Sequence, residues 1–151
     1  MKLLIISDTH GYIANAVSVI EEIKPDYVIH LGDMADDCDQ LKYIYPMQKM
    51  ICVLGNNDWY NRQYPLEVIT KISDKRFFIC HGHKYNVKYG IDLIKKKGIF
   101  EKADVILYGH THRRFIEEKD GLLIMNPGST ASYGIIEIDE KGNINAQILD
   151  V

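Results

Sequence analysis

Cysteine is scarce in this chain and shows no pairing pattern. Cys38, Cys52 and Cys80 are odd in number and none stands in CxxC spacing, which argues against a disulfide framework and against a knuckle-type structural zinc site. Charge of one sign is also missing. The 18 Lys and Arg against 21 Asp and Glu leave a net charge of −3, and the longest basic run is Lys95-Lys96-Lys97. A long nucleic acid would demand a clearly basic surface, so it is not an expected partner. No apolar stretch approaches the roughly 20 residues that span a bilayer. The short apolar run after Lys2 breaks at Ser7-Asp8, before it reaches the length of an export signal. Repeats, low-complexity segments and interdomain linkers are absent as well. What remains is the expectation of one domain over residues 1–151, in a reducing cytoplasm and away from membranes. Its 46% hydrophobic and 26% charged content is ordinary for a globular chain.

Five apolar runs each end on residues that bind metals. Leu3-Leu4-Ile5-Ile6 leads to Asp8-Thr9-His10, and Tyr27-Val28-Ile29-His30-Leu31 leads to Gly32-Asp33. Met50-Ile51-Cys52-Val53-Leu54 leads to Gly55-Asn56-Asn57-Asp58, and Phe77-Phe78-Ile79-Cys80 leads to His81-Gly82-His83. Val105-Ile106-Leu107-Tyr108 leads to Gly109-His110-Thr111-His112. Open α/β sheets place ligands at the carboxyl ends of their strands. Strand ends carrying Asp, Asn and His therefore suggest one shared site for divalent metal. Imidazole suits zinc, iron, copper and nickel, and carboxylate oxygen suits manganese and magnesium, so a mixed set suits a pair of borderline ions. If the segments are extended, the pairs Asp8/His10 and His110/His112 each project to one side.

The order of elements agrees. The first half predicts strands at 2–6, 27–31 and 49–54 with helices between them. Ile13, Val17, Ile20 and Ile23 recur at helical spacing, and Pro25 ends that helix. A short helix near 38–45 comes next, with Asp36, Asp37 and Asp39 as its expected caps. The second half predicts a hairpin, 67–72 with 75–80, across Ser73-Asp74. A helix near 87–97 would stop at Gly98. Strands at 104–108, 114–118, 122–125, 133–138 and 144–149 complete the chain, with Asp120-Gly121 as a hairpin turn. Two stacked mixed sheets with helices outside result from this order. Cys52, Cys80 and His30 read as interior residues. Lys84, Arg113 and Arg114 read as solvated surface, and Trp59, Tyr60 and Tyr64 as packing residues or a stacking platform for an aryl group.

These motifs, in this order over nearly the whole chain, resemble the calcineurin-like metallophosphoesterase family. The short length and the segment Asn126-Pro127-Gly128-Ser129 resemble its small single-domain phosphodiesterase branch. The resemblance implies an α/β fold, a four-layer α/β/β/α sandwich of two mixed sheets flanked by helices. It implies two divalent metal ions, manganese first, with iron, zinc or nickel as alternatives. Asp8, His10, Asp33 and His112 would hold one ion. Asp33, Asn56, His81 and His110 would hold the other, with Asp33 bridging. The implied activity is hydrolysis of a small phosphate ester, a diester by preference, with a metal-bridging hydroxide as nucleophile. The alternatives are a phosphomonoesterase and a non-catalytic metal-binding interaction scaffold. The catalytic positions are Asp33, Asn57 and His83. Asn57 departs from the family, which often has His there as an acid for the leaving group. Asn has no proton to give near neutral pH. Oligomeric state is not fixed by the sequence, and a homo-oligomer is compatible with it.

Overall fold

A computed structural model describes residues 1–151. Its first half alternates strand and helix: β1 (Lys2–Ile6), α1 (Ile13–Ile23), β2 (Tyr27–His30), α2 (Ala35–Ile44) and β3 (Lys49–Cys52). The second half is mostly strand: β4 (Glu67–Ile72), β5 (Lys75–Cys80), α3 (Asp92–Phe100), β6 (Val105–Leu107), β7 (Phe115–Lys119), β8 (Leu122–Asn126), β9 (Ser132–Ile138) and β10 (Ile144–Asp150). The strands form two five-stranded sheets, ordered β10-β9-β1-β2-β3 and β4-β5-β6-β8-β7. Both are mixed. In the first sheet β1, β2 and β3 run parallel, and β9 joins β1 antiparallel. In the second, β5, β6 and β8 run parallel while β4 and β7 are antiparallel edges. The expected sandwich is therefore the observed one.

Strand periodicity sorts the core into layers. Leu3 and Ile5 point inward with Ile29, Phe77, Ile79, Leu107, Met125 and Ile136, filling the space between the sheets. Leu4 and Ile6 point the other way, onto Ala16, Val19 and Ile20 of α1 and Leu41 of α2. Phe78 and Cys80 point away from the inter-sheet core to meet Ile94 of α3. Both sheets are thus covered on both faces, which is why the central strands read as unbroken apolar runs.

Turns carry most of the local exceptions. Lys24 closes α1 in the left-handed region, and Pro25 then prevents its continuation. Ser73-Asp74 and Asp120-Gly121 each place two consecutive residues at positive φ, the type I′ geometry that matches the twist of a hairpin.

Several boundaries differ from expectation, most of all that of the helix near 87–97. The sequence places a helix at 87–97 with Gly98 outside it, whereas α3 runs from Asp92 to Phe100 with Gly98 within it and buried. The reason is steric rather than terminal. A Cβ at Gly98 would lie 2.2 Å from Ile106 Cδ1 and 2.6 Å from its Cγ1. Gly98 therefore sets how closely α3 approaches β6. Replacing it by alanine gains about 1 kcal/mol of helix propensity, but overpacking a fixed core costs about 1–3 kcal/mol. Ile106 is fully buried and has little room to yield. Gly98→Ala is expected to lower stability by about 1 kcal/mol net, read as a lower urea midpoint at unchanged slope; a rise in the midpoint would contradict this packing account.

Candidate metal centre

The parallel strands of both sheets end at one edge of the sandwich, and the chain there leaves extended geometry abruptly. Asp8, His10, Asp33, Met34, His110 and His112 all have φ between 47° and 77°. Such left-handed non-glycine residues cost of order 1–3 kcal/mol each and persist only where their surroundings over-determine them. This corrects the extended-segment rationale for the i, i+2 pairs. Left-handed turns, not a pleat, aim these side chains, and the pair His110/His112 divides: His110 packs on His81 with ring centroids 5.1 Å apart, and His112 packs on His10 at 5.3 Å.

Two groups of potential ligands result. Asp8, His10 and His112 present ligand atoms that all lie within 4.8 Å of one another, and so do Asp8, Asp33 and His81. Asp8 belongs to both. Its Oδ1 is 3.0 Å from His112 Nε2 and 3.9 Å from His81 Nε2. Asn56 is exposed. It sits in the turn that holds Asp33.

His81 shows what the centre accommodates. Its Nδ1–H donates to the Leu31 carbonyl at 2.7 Å, so the neutral ring presents its lone pair at Nε2. That atom is buried without a hydrogen-bond partner. It faces Asp33 Oδ1 at 3.6 Å and Asp8 Oδ1 at 3.9 Å, with both the imidazole and the Asp8 side chain inaccessible to solvent. Three acceptors thus converge on a dry point. A proton on Nε2 would not repair this, because both separations exceed hydrogen-bond range. A divalent ion about 2.1 Å from each donor sets neighbouring donors about 3.0–3.5 Å apart, close to the spacing seen. The residues fit a cation.

The remaining predicted positions line the same centre. Asn57 donates from its backbone N–H to Asp33 Oδ1 at 3.0 Å and from its amide to Asp33 Oδ2 at 2.8 Å. His83 opens a short 3-10 turn and packs on His81 at 5.5 Å and on His110 at 6.2 Å. Its Nδ1 is buried without a partner. Burial and the neighbouring His81 push the His83 pKa down. Burial, then His81 and Lys88, push that of His110 down to about 4.

Three supporting groups are not evident from the motifs. The first is Asp58, fully buried, whose carboxylate accepts from four backbone N–H groups. Asp33 and Gly55 donate to Oδ2 at 2.9 and 2.7 Å, and Met34 and Ala35 to Oδ1 at 2.9 and 2.8 Å. It also corrects the expected capping, since Asp58, rather than Asp36, Asp37 or Asp39, satisfies the start of α2. Asp37 is turned inward and Asp39 meets the Tyr64 hydroxyl. The second is a chain through Asp37. The Gly32 N–H donates to His30 Nδ1 at 3.2 Å, leaving His30 Nε2–H to donate to Thr9 Oγ1 at 2.8 Å, and the Thr9 hydroxyl donates to Asp37 Oδ2 at 2.5 Å. Burial pushes the His30 pKa down to about 4, so the imidazole stays neutral, and its interior placement is as expected. The third is Asn126, whose amide donates to the Gly109 carbonyl at 2.8 Å and to Thr111 Oγ1 at 3.0 Å. Asp58 and Asn126 each stand within a segment singled out in the sequence, which is the one signal that could have found them.

The match to known proteins is of the same kind as the geometry. A calcineurin-like phosphoesterase superfamily domain matches residues 1–141. The chain belongs to the calcineurin-like phosphoesterase family. Phosphodiesterase MJ0936 of Methanocaldococcus jannaschii is 31% identical, over 93% of this chain and 95% of the relative. The crystal structure of a predicted phosphoesterase from Streptococcus pneumoniae superposes with a TM-score of 0.80 at 24% identity, covering 99% of this chain and 88% of that one. Zinc-complexed Vps29 from Entamoeba histolytica has the same fold, with a TM-score of 0.78 at 18% identity over 99% of both chains. The chain is a metal-dependent phosphoesterase by family. No helix is long and apolar enough to cross a membrane.

Asp58→Asn keeps the shape of the carboxylate but sets an amide NH₂ against backbone N–H donors. Leaving buried donors unpaired costs about 1–3 kcal/mol each. A loss of about 3 kcal/mol or more is expected in denaturant unfolding, and a change under about 0.5 kcal/mol would remove Asp58 from this role.

Proposed function

We propose that this chain hydrolyses small phosphodiesters with two divalent cations at this centre, in a reducing cytoplasm to which its three free, buried cysteines are suited. Manganese is the first candidate, with iron, zinc or nickel as alternatives. The observation that carries the reading is the lone pair of His81 Nε2, turned by Leu31 toward two buried carboxylates. Asp8, His10, Asp33 and His112 would hold one cation, and Asp33, Asn56, His81 and His110 the second, Asp33 serving both. Asp8, common to both observed groups, offsets the repulsion between the two charges. Such ions supply charge neutralisation at phosphorus and a water acidic enough to attack near neutral pH.

The side chains then have distinct tasks. Asn57 fixes the orientation of Asp33 by a two-point contact. His83, held neutral, offers a hydrogen bond to an ester oxygen rather than a proton. The preference for a diester is supported by the similarity to the phosphodiesterase of Methanocaldococcus jannaschii.

Metal analysis of the purified protein should find about two divalent ions per chain. Turnover of a p-nitrophenyl phosphodiester should exceed that of p-nitrophenyl phosphate, vanish on chelation and return with manganese. Asp33→Asn should remain folded and lose about 10²-fold or more in diester turnover. Faster monoester cleavage would shift the reading to a phosphomonoesterase, and bound metal without turnover on either ester to a scaffold.

The lack of an acid at Asn57 has its own consequence. A positioned general acid contributes about 10²–10⁴-fold, so turnover should fall steeply as the leaving-group pKa rises. Asn57→His should flatten that slope by accelerating alkyl esters most. A flat slope in the parent protein, with chemistry rate-limiting, would contradict this.

A further inference from the structure

Beside the metal centre lies an open cleft of about 570 Å³, lined in part by Val87, Lys88, Ile91, Tyr108, Arg113 and Phe115. That volume is in the range of small-ligand sites. None of the residues assigned to the metals lines it, and no Asp or Glu does. The cleft and the centre nevertheless share a wall, because Tyr108 to Arg114 is the segment that carries His110 and His112. Val87 and Tyr108 are buried and form an apolar floor. Lys88 and Arg113 are exposed at its rim.

The cations of this rim are not all occupied. Arg114 pairs with Asp150, whereas Lys88 and Arg113 meet no carboxylate within the 4.0 Å of an ion pair. The Arg113 backbone N–H donates to Thr111 Oγ1 at 3.2 Å, and Thr111 Oγ1 is held in turn by Asn126. The root of the Arg113 side chain is therefore fixed to the same support as His110. A guanidinium so rooted can meet a carboxylate or phosphate with two parallel hydrogen bonds. Over an apolar floor its charge is less screened than on open surface. The chain as a whole carries −3, so two free cations at one cleft are a local reversal of sign that attracts anions.

We propose that this cleft is a second anion site, where Lys88 and Arg113 receive a negatively charged group on the non-reacting arm of the phosphodiester. The proposal rests on the phosphodiesterase reading and narrows it. The preferred substrate has two anionic groups, the diester phosphate at the metals and a terminal carboxylate or phosphate in the cleft, joined by an arm with apolar character. Val87, Ile91 and Phe115 contact that arm.

The test reads binding and needs no turnover. Alkylphosphonates of increasing chain length, ending in methyl, carboxylate or phosphate, are titrated calorimetrically into the manganese-loaded protein. At the best length the anionic ends should bind on the order of tenfold more tightly than methyl, the worth of a charge-assisted pair. The tighter of the two identifies the terminal group. In Arg113→Gln and Lys88→Gln the anion-to-methyl ratio should fall toward one, while Lys141→Gln, remote from the cleft, should keep it. Equal binding of all ends at every length overturns the second site and leaves the phosphodiesterase reading standing, as does a ratio that survives both cleft substitutions. A loaded protein that binds no phosphonate of any kind overturns both.

Discussion

The carboxylate of Asp58 is the contact on which the geometry of this centre depends. It draws four backbone N–H groups from two loops, one after β2 and one after β3, onto a single buried charge. Hydrogen bonds to a charged acceptor contribute about 1.5–3 kcal/mol each. Two of those donors belong to Asp33 and Met34, both at positive φ, a strain of about 1–3 kcal/mol apiece. The attraction is large enough to hold both. It also satisfies the open end of α2, so one side chain settles where a helix begins and where a metal-facing carboxylate points. The approach is close: a Cβ at Gly32 would lie 2.6 Å from Gly55 N, and one at Gly55 would lie 2.1 Å from Asp33 Oδ1. Both glycines are needed because two backbones meet there over one carboxylate.

With the loops fixed, electrostatics becomes the second constraint. Asp8 and Asp33 are buried, and His81 cannot turn its protonated nitrogen toward them because Leu31 already accepts from it. Asp33 accepts from Asn57 and Asp8 from the His110 N–H, but His81 Nε2 is buried without a partner, and such a group is expensive. The fold tolerates it here because its two sheets, packed over an extensive apolar core, supply stability elsewhere. A cation at this point would relieve repulsion already present, so its ligands need little rearrangement. The strained backbone and the unpartnered His81 Nε2 are two expressions of the same pre-organisation.

Periodicity made much of the fold legible in advance. The strands buried on both faces, the Pro25 stop, the two I′ turns and the site at the strand ends all derive from local chemistry. The resemblance supplied the ligand sets, which spacing alone does not give. Gly98 marks the limit: its neighbour Ile106 lies on another element, and nothing near it in sequence distinguishes a packing glycine from a terminating one. Asp37 and Asp58 mark it again. Asp37 stands in the first turn of α2 and Asp58 lies beyond β3, yet the tertiary fold makes Asp58 cap α2 while Asp37 turns back to Thr9. The left-handed positions Asp8, His10, His110 and His112 lie beyond pattern altogether, since non-glycine residues give little sign of positive φ.

Asn57 and the cleft bear on selectivity together. The Asn57 amide is engaged with Asp33, and His83 is kept neutral by burial and by its neighbour. Neither supplies a proton readily at neutral pH, so in the proposed reaction departure of the ester oxygen would depend on the substrate's own leaving group. Such a centre would discriminate among esters by reactivity at one end. The proposed anion site, a cleft with two free cations, would discriminate by charge at the other. Diesters combining an acidic leaving group with an anionic arm satisfy both conditions, whereas dialkyl esters with neutral arms satisfy neither. Selection of this kind would be distributed between chemistry and electrostatics rather than enforced by enclosure.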